Sequence, residues 1–307
     1  MIKDSDALVN QINEIYHQID SEFFDKEHKE RHQMESRFWK FVGEEFVSKH
    51  KGSLRVIDVC TGTGFVPSIL SGYLGEKDTL VCTDISHEMI KKTACKVRST
   101  RPKCKVEFFV SNSEYLPVRK GCFDIVMMNA ALHHLPKYEC FLKGVDNILK
   151  KGGVFCLGHE PNRSFYTNSS LMQINDTVFK LLWYTSPTNI KNKFLKIAGK
   201  KALTMEERVI IRLNDILLEK DYVDRALSVD EVREIVDVHS KKPLDERGFD
   251  IDHLMAIFNN SYEKIYFDTI NHSGMPTYNR LVVSLIETLL KRHYPNDGQL
   301  FNVVMRK

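Results

Sequence analysis

An α/β fold built on a mostly parallel sheet, preceded by a helical extension and split by a helical insertion, is predicted by three observations. Short apolar runs alternate with helical stretches between residues 54 and 159. Two further strand-like runs flank a helix near the C-terminus, and residues 163–228 intervene with helical spacing of their own. Alternation of this kind is what right-handed crossovers of a parallel sheet require, with helices on both faces.

The elements follow in order. From Ser5 through Tyr16 to Phe24, apolar residues at 8, 12, 15, 19 and 23 keep helical spacing, and Phe38, Trp39, Val42 and Phe46 mark a second helix. Residues 1–50 are therefore read as a helical cover. Leu54–Cys60, Thr79–Asp84, Lys105–Val110, Phe123–Asn129 and Gly153–His159 read as strands, with crossover helices over Val66–Tyr73, Ser86–Thr100 and Tyr138–Leu149. In the insertion, Leu171, Ile174, Val178 and Leu181 keep helical spacing, and capping boxes open further helices at Thr204–Glu207 and Ser228–Glu231. Glu263–Asn271 and Gln299–Arg306 add two strands around a helix from Thr277 to His293. The predicted division is thus 1–50 cover, 51–162 core, 163–228 inserted lid and 229–307 the remainder of the core.

Composition narrows the function classes. Of 307 residues, 42% are hydrophobic and 28% charged, which suits a globular chain with a sizeable core. A net charge of +3 is too weak a field to suggest a protein that coats nucleic acid. No run approaches the length of a membrane span and the N-terminus lacks a basic start followed by an apolar block, so a soluble, cytoplasmic protein is expected. Seven cysteines include no CxxC pair, which argues against zinc ribbons and a disulfide framework. His28 and His32 stand at i,i+4, but no third ligand is placed beside them, and a solvated charged helix is the preferred reading; no metal is expected.

The chemistry gathers at strand ends. Asp58-Val-Cys-Thr-Gly62-Thr-Gly64 follows the first strand as a glycine turn that lets the backbone approach a ligand. Pro67 stands where a dinucleotide fingerprint wants its third glycine, which weakens a pyrophosphate reading. Asp84 ends the second strand, where a carboxylate accepts from both ribose hydroxyls, and Ser86 is the better candidate for the helix cap. Ser111-Asn112-Ser113-Glu114 follows the third strand, and Asn129-Ala-Ala-Leu-His133-His134 the fourth.

In this order, DVCTGTGF, TDIS, SNSEYLP, FDIVMMNAALHHLP and LKKGGVFCLGHEPN resemble the class I S-adenosylmethionine-dependent methyltransferases, in particular the broad group with the ubiquinone and menaquinone C-methyltransferases and many natural-product enzymes. The resemblance implies a Rossmann-like seven-stranded methyltransferase sheet, S-adenosylmethionine as cofactor and S-adenosylhomocysteine as its product. It implies that Asp58, Gly62 and Gly64 form the pocket for the methionine part, that Asp84 holds the ribose and that Ile85 packs on adenine. Asn112 and Ser113 would face the adenine edge, and Asn129 would line the region of the sulfonium. Cys60 replaces the first glycine of the usual motif, and Asn112 replaces the more usual Asp.

A sulfonium methyl is already electrophilic, so catalysis consists mainly of holding an acceptor in line and excluding water, with a base needed only where the acceptor loses a proton. His134 and His133 are the candidate bases. His159 and Glu160, at the next strand end, and Trp183 and Tyr184, in the insertion, are candidate acceptor contacts. Six lysines and no acidic residue fall within Thr177–Lys201. A lid with inward aromatics and solvated lysines is preferred there over a face that meets a membrane surface, an anionic substrate or RNA. The expected activity is methyl transfer to a small or lipid-like organic acceptor, without a nucleic-acid partner. A tRNA or protein methyltransferase, and a cofactor-binding subunit without turnover, are the alternatives.

Overall fold

The computed structural model describes residues 6–22, 29–185, 203–239, 242–259, 261–274 and 280–307. Seven strands form one sheet: β1 Arg55–Val59, β2 Thr79–Asp84, β3 Lys105–Val110, β4 Phe123–Asn129, β5 Leu149–Pro161, β6 Glu263–Ile270 and β7 Leu300–Arg306. Their order is β3-β2-β1-β4-β5-β7-β6. The first five run parallel, and β7 pairs antiparallel with both β5 and β6. Strand order reverses beside β1, so the crevice at the carboxyl ends of β1, β2 and β4 is where such a sheet binds ligands.

Period-two alternation assigns each strand to two cores. Ile57, Val59, Val126, Met128, Phe155 and Leu157 face a layer formed by α5 (Tyr138–Ile148) and α10 (Ile251–Ile257). Val56, Ile125, Met127, Val154 and Cys156 face the opposite layer, where α2 (Lys29–Val42) supplies Phe38, Trp39 and Val42, and α3 (Phe65–Leu70) supplies Val66 and Leu70. Helix α4 (His87–Ser99) starts on the Ser86 cap, whose side chain accepts from the Met89 amide. All seven cysteines are free thiols.

The two helices of the N-terminal extension part company. α2 belongs to the sheet, whereas α1 (Asp6–Asp20) turns its stripe of Leu8, Ile12, Ile15 and Ile19 to the insertion. There it meets Val209, Ile210, Leu213 and Leu217 of α8 (Met205–Glu219) and Val232 and Val236 of α9 (Val229–Val236). Both predicted capping boxes are present, at Thr204 and Ser228. The expectation that residues from 229 onward continue the core is corrected for α9, because its apolar face finds α1 rather than the sheet. The first half of the insertion goes elsewhere: α6 (Arg163–Thr167) and α7 (Ser169–Thr185) pack through Phe165 and Leu171 against Leu290 of α11 (Arg280–His293).

Strand β5 outruns its predicted end at His159. A register shift between Leu157 and Glu160 and a left-handed His159 (φ 64°) bulge the strand and carry pairing on to Pro161. A bulge re-aims the side chains that follow it, and here it turns Glu160 wholly into the interior. Because Leu213 is fully buried in the cap cluster, Leu213→Ala should cost about 2–5 kcal/mol of unfolding free energy in urea titration. An unchanged midpoint would mean that α1 and α8 are not packed in solution.

Candidate active site

A cavity of about 420 Å³ opens at the carboxyl ends of β1, β2 and β4. Its floor begins with the turn after β1. Gly62 and Gly64 take left-handed conformations, φ 54° and 86°. A Cβ on Gly64 would meet the Thr93 Cα at 2.9 Å, so this turn lies hard against α4. The Gly62 amide donates to Asp84 Oδ2 at 2.9 Å, while the Ser86 amide donates to Oδ1 at 2.9 Å. Asp84 is thereby fixed at the strand end, 7% exposed, with a further lone pair on each oxygen directed by that anchoring.

Asp58 sits beside it and is 1% exposed. Its Oδ2 has no hydrogen-bond partner among the described residues. Burial lifts the Asp58 carboxyl to about 7, with the neighbouring charge of Asp84 adding to the rise. Burial also lifts Asp84, to about 6, against the pull of the Ser86 and Gly62 amides. A buried, unpartnered carboxylate oxygen is costly unless a cation or donor meets it. An adenosyl amino acid supplies both: ribose hydroxyls to donate to Asp84, and positive charge for Asp58. The residues therefore fit S-adenosylmethionine.

Ile85, Asn112, Ser113 and Asn129 also line the cavity. Asn112 caps the turn at Ser113–Tyr115, its Oδ1 accepting from the Glu114 amide at 2.8 Å, so the oxygen expected to meet adenine already holds one bond. Asn129 is committed to α2: Oδ1 accepts from Trp39 Nε1 at 2.9 Å and Nδ2 donates to Glu35 Oε2 at 2.8 Å.

Glu160 and His159 do not line the cavity, which corrects their assignment as acceptor contacts. Glu160 Oε1 accepts from the Ala131 and Leu132 amides, and Oε2 from the amide and Nδ1 of His133. Those bonds fix the loop after β4. His159 is 1% exposed and pairs through Nε2 with Glu35 Oε1 at 3.2 Å, behind the wall that Asn129 forms. Helix α7 carries Trp183 and Tyr184, whose side chains lie outside the described residues, and no described residue of α7 lines the cavity.

His133 and His134 do reach the cavity, their rings 4.0 Å apart. The Val236 carbonyl can only accept, so its 2.6 Å contact puts the His134 proton on Nδ1. The Glu160 carboxylate does the same for His133 Nδ1 at 2.8 Å. In both neutral rings the electron pair is then on Nε2.

The cap contributes residues that sequence reasoning did not assign. Asn10, Asn13, His17 and Asp20 of α1 line the cavity, with Glu35 from α2, Glu206 from α8 and Asp237 after α9. A signal existed for the first four: their 3–4 spacing makes a polar stripe beside the apolar stripe of α1. Nothing in the sequence brings Asp237 to His133.

Raised carboxyls make a stability statement. Asp58 and Asp84 titrate above their ordinary value of 3.8 in the folded protein, so the fold holds their protons more tightly than the unfolded chain. The stability they contribute is complete below about pH 4 and is lost as pH rises through about 6 to 7. Asp58→Asn should therefore raise the urea midpoint of the ligand-free protein at pH 8 and flatten its fall between pH 5 and 8. An equal pH slope in the variant would contradict the burial of this carboxylate.

A profile of the ubiE/COQ5 methyltransferase family matches residues 4–173. The ubiquinone/menaquinone biosynthesis C-methyltransferase UbiE of Wigglesworthia glossinidia brevipalpis is 28% identical over 117 residues, covering 38% of this chain and 46% of that protein. The demethylmenaquinone methyltransferase of Lactococcus lactis subsp. lactis is 33% identical over 105 residues, covering 34% of this chain and 41% of that one. The match thus spans less than half the length of these curated relatives. A chain from the complex of the Haloferax volcanii Trm112 methyltransferase activator with a methyltransferase has a similar fold, with TM-score 0.52, 12% identity and coverage of 95% of this chain and 96% of that one. With the family profile matching more than half of its residues, the chain belongs to the ubiE/COQ5 methyltransferase family, within the class I S-adenosylmethionine-dependent methyltransferases.

Proposed function

We propose that this protein transfers a methyl group from S-adenosylmethionine to a small or lipid-like organic acceptor held between the sheet and the cap of α1, α8 and α9. The observation that carries the reading is the pair of buried carboxyls, Asp58 and Asp84, beneath the glycine turn. S-adenosylmethionine supplies an electrophilic methyl when bound. The chain's own part is to hold the ribose at Asp84, meet the positively charged amino-acid part at Asp58 and keep water out under the cap.

An acceptor of limited size is supported by the enclosure. The wall is drawn from α1, α2, α8 and α9 together, which leaves a cavity in the range of small-molecule sites rather than an open groove for a macromolecule. The curated relatives named for ubiquinone and menaquinone biosynthesis support a quinone-like or natural-product acceptor. Among the described residues no helix is long and apolar enough to cross a membrane. Contact of the Lys-rich segment with a membrane surface belongs to this proposal too, and residues 186–201 of that segment lie outside the described residues. His133 and His134, with their electron pairs on Nε2, are the groups that activate the acceptor.

Calorimetric titration with S-adenosylhomocysteine tests the cofactor reading. Asp84→Ala should weaken binding about 10–100-fold, as loss of a charged acceptor for two hydroxyls costs about 1.5–3 kcal/mol, and NADH should not bind. Undiminished affinity in the variant, or tight NADH binding, would reject it. With labelled S-adenosylmethionine and cell-extract fractions as acceptor source, His134→Ala should slow transfer about 100-fold or more while leaving cofactor affinity unchanged. A single-turnover rate near wild type would remove His134 from the chemistry.

A further inference from the structure

We propose that His133, His134 and Asp237 form a binding site for one divalent transition-metal ion on the cavity wall. All three residues line the cavity, the histidines from the turn after β4 and the aspartate from the end of α9. One ligand atom from each lies within 4.8 Å of the other two. Asp237 Oδ1 stands 3.6 Å from His133 Nε2, the nitrogen with the electron pair, whereas its 3.4 Å approach to His134 is to Nδ1, which donates to the Val236 carbonyl. Ligands around a single tetrahedral zinc stand roughly 3–3.5 Å apart, given metal–ligand distances of about 2.0–2.2 Å. His133 and Asp237 are therefore almost at coordination spacing, and His134 would complete the set through Nε2, the nitrogen that carries its electron pair.

The hydrogen bonds behind the two histidines point the same way. His133 Nδ1 donates to Glu160 Oε2, and His134 Nδ1 donates to the Val236 carbonyl. Histidines that bind metals carry this kind of outer partner, which fixes the tautomer and leaves an electron pair for the ion. At His133 that pair, on Nε2, faces a carboxylate oxygen at 3.6 Å. With the ring neutral, this sets two acceptors against each other, an arrangement that becomes attractive around a cation. Glu160 is fully buried behind His133, and Glu206 on the same cavity wall is paired with Arg233.

Two imidazoles and one carboxylate leave coordination positions open. The open position takes an oxygen of the acceptor, which restricts acceptors to those with a hydroxyl or carbonyl beside the carbon or oxygen that is methylated. That role, unlike the binding itself, rests on the methyl-transfer reading above. It also makes the two histidines activate the acceptor through the ion, and it gives the fixed tautomers a purpose.

The test uses the full chain without a histidine tag, stripped with chelator and titrated with zinc chloride in a calorimeter, and with cobalt chloride followed by visible absorption. One zinc per chain should bind, and cobalt should give the visible bands of nitrogen and oxygen ligation. Asp237→Asn and His134→Ala should each weaken zinc binding about tenfold or more. Retained S-adenosylhomocysteine affinity shows that the variants are folded. Absence of saturable zinc binding, or equal affinity in both variants and wild type, overturns the site. Zinc binding without S-adenosylhomocysteine binding would uphold the site and reject the methyl-transfer reading, and the reverse result would do the opposite.

Discussion

Two carboxyls carried out of water at the ends of neighbouring strands set the terms for this molecule. Asp58 and Asp84 are almost wholly buried, and burial raises both above the ordinary carboxylate range. A fold tolerates that cost where a ligand repays it, and strained or unsatisfied groups concentrate at functional sites for this reason. Much of the surrounding architecture follows. The left-handed Gly62 and Gly64 bring an amide onto Asp84, Ser86 brings another, and the close approach of α4 at Thr93 excludes any larger residue at Gly64.

A second pair of acids works from behind. Glu160 accepts four bonds from the loop after β4 and so decides where His133 points. Glu35, on α2, joins His159 to Asn129. These two glutamates link the carboxyl ends of β4 and β5 to the helical extension and the histidine turn, so that turn is positioned by buried acids as well as by apolar packing. Breaking such a bonded pair leaves an uncompensated charge in the interior, a larger penalty than the pair itself is worth. The bulge in β5 makes the arrangement feasible, since without it Glu160 would not lie under the turn.

What could be read from the chain was local. Asp58, Gly62, Gly64 and Asp84 each sit within a strand and the turn after it, and a motif of that length survives in sequence. The alternation of apolar residues likewise gave both faces of the sheet, as with Val56 and Ile57 going to opposite layers. Contacts between distant segments were not legible. Asp237 meets His133 across more than a hundred residues, and Glu35 meets Asn129 across ninety-four. Glu160 was readable as a strand-end acid but not as a buried one, because a bulge has no reliable signature in β-branched and apolar residues alone. The lid was assigned to residues 163–228 with its aromatics at Trp183 and Tyr184 as acceptor contacts; within that range the cavity wall comes from Glu206 of α8, and α9, just beyond it, adds Val236, with Asp237 following. Their capping boxes announced the helices without saying what they cover.

Proton linkage of ligand binding tests the central claim most directly. At pH 6.5 the Asp58 carboxyl, held near 7, is partly protonated in the ligand-free protein. A positively charged amino-acid ligand placed against it drives ionisation and releases a proton. Calorimetry of S-adenosylmethionine binding in buffers of different ionisation enthalpy measures that number. The account predicts net proton release at pH 6.5 that disappears at pH 8.5 and is reduced in Asp58→Asn. Binding with no proton release at pH 6.5, or release that is the same in the variant, would contradict it.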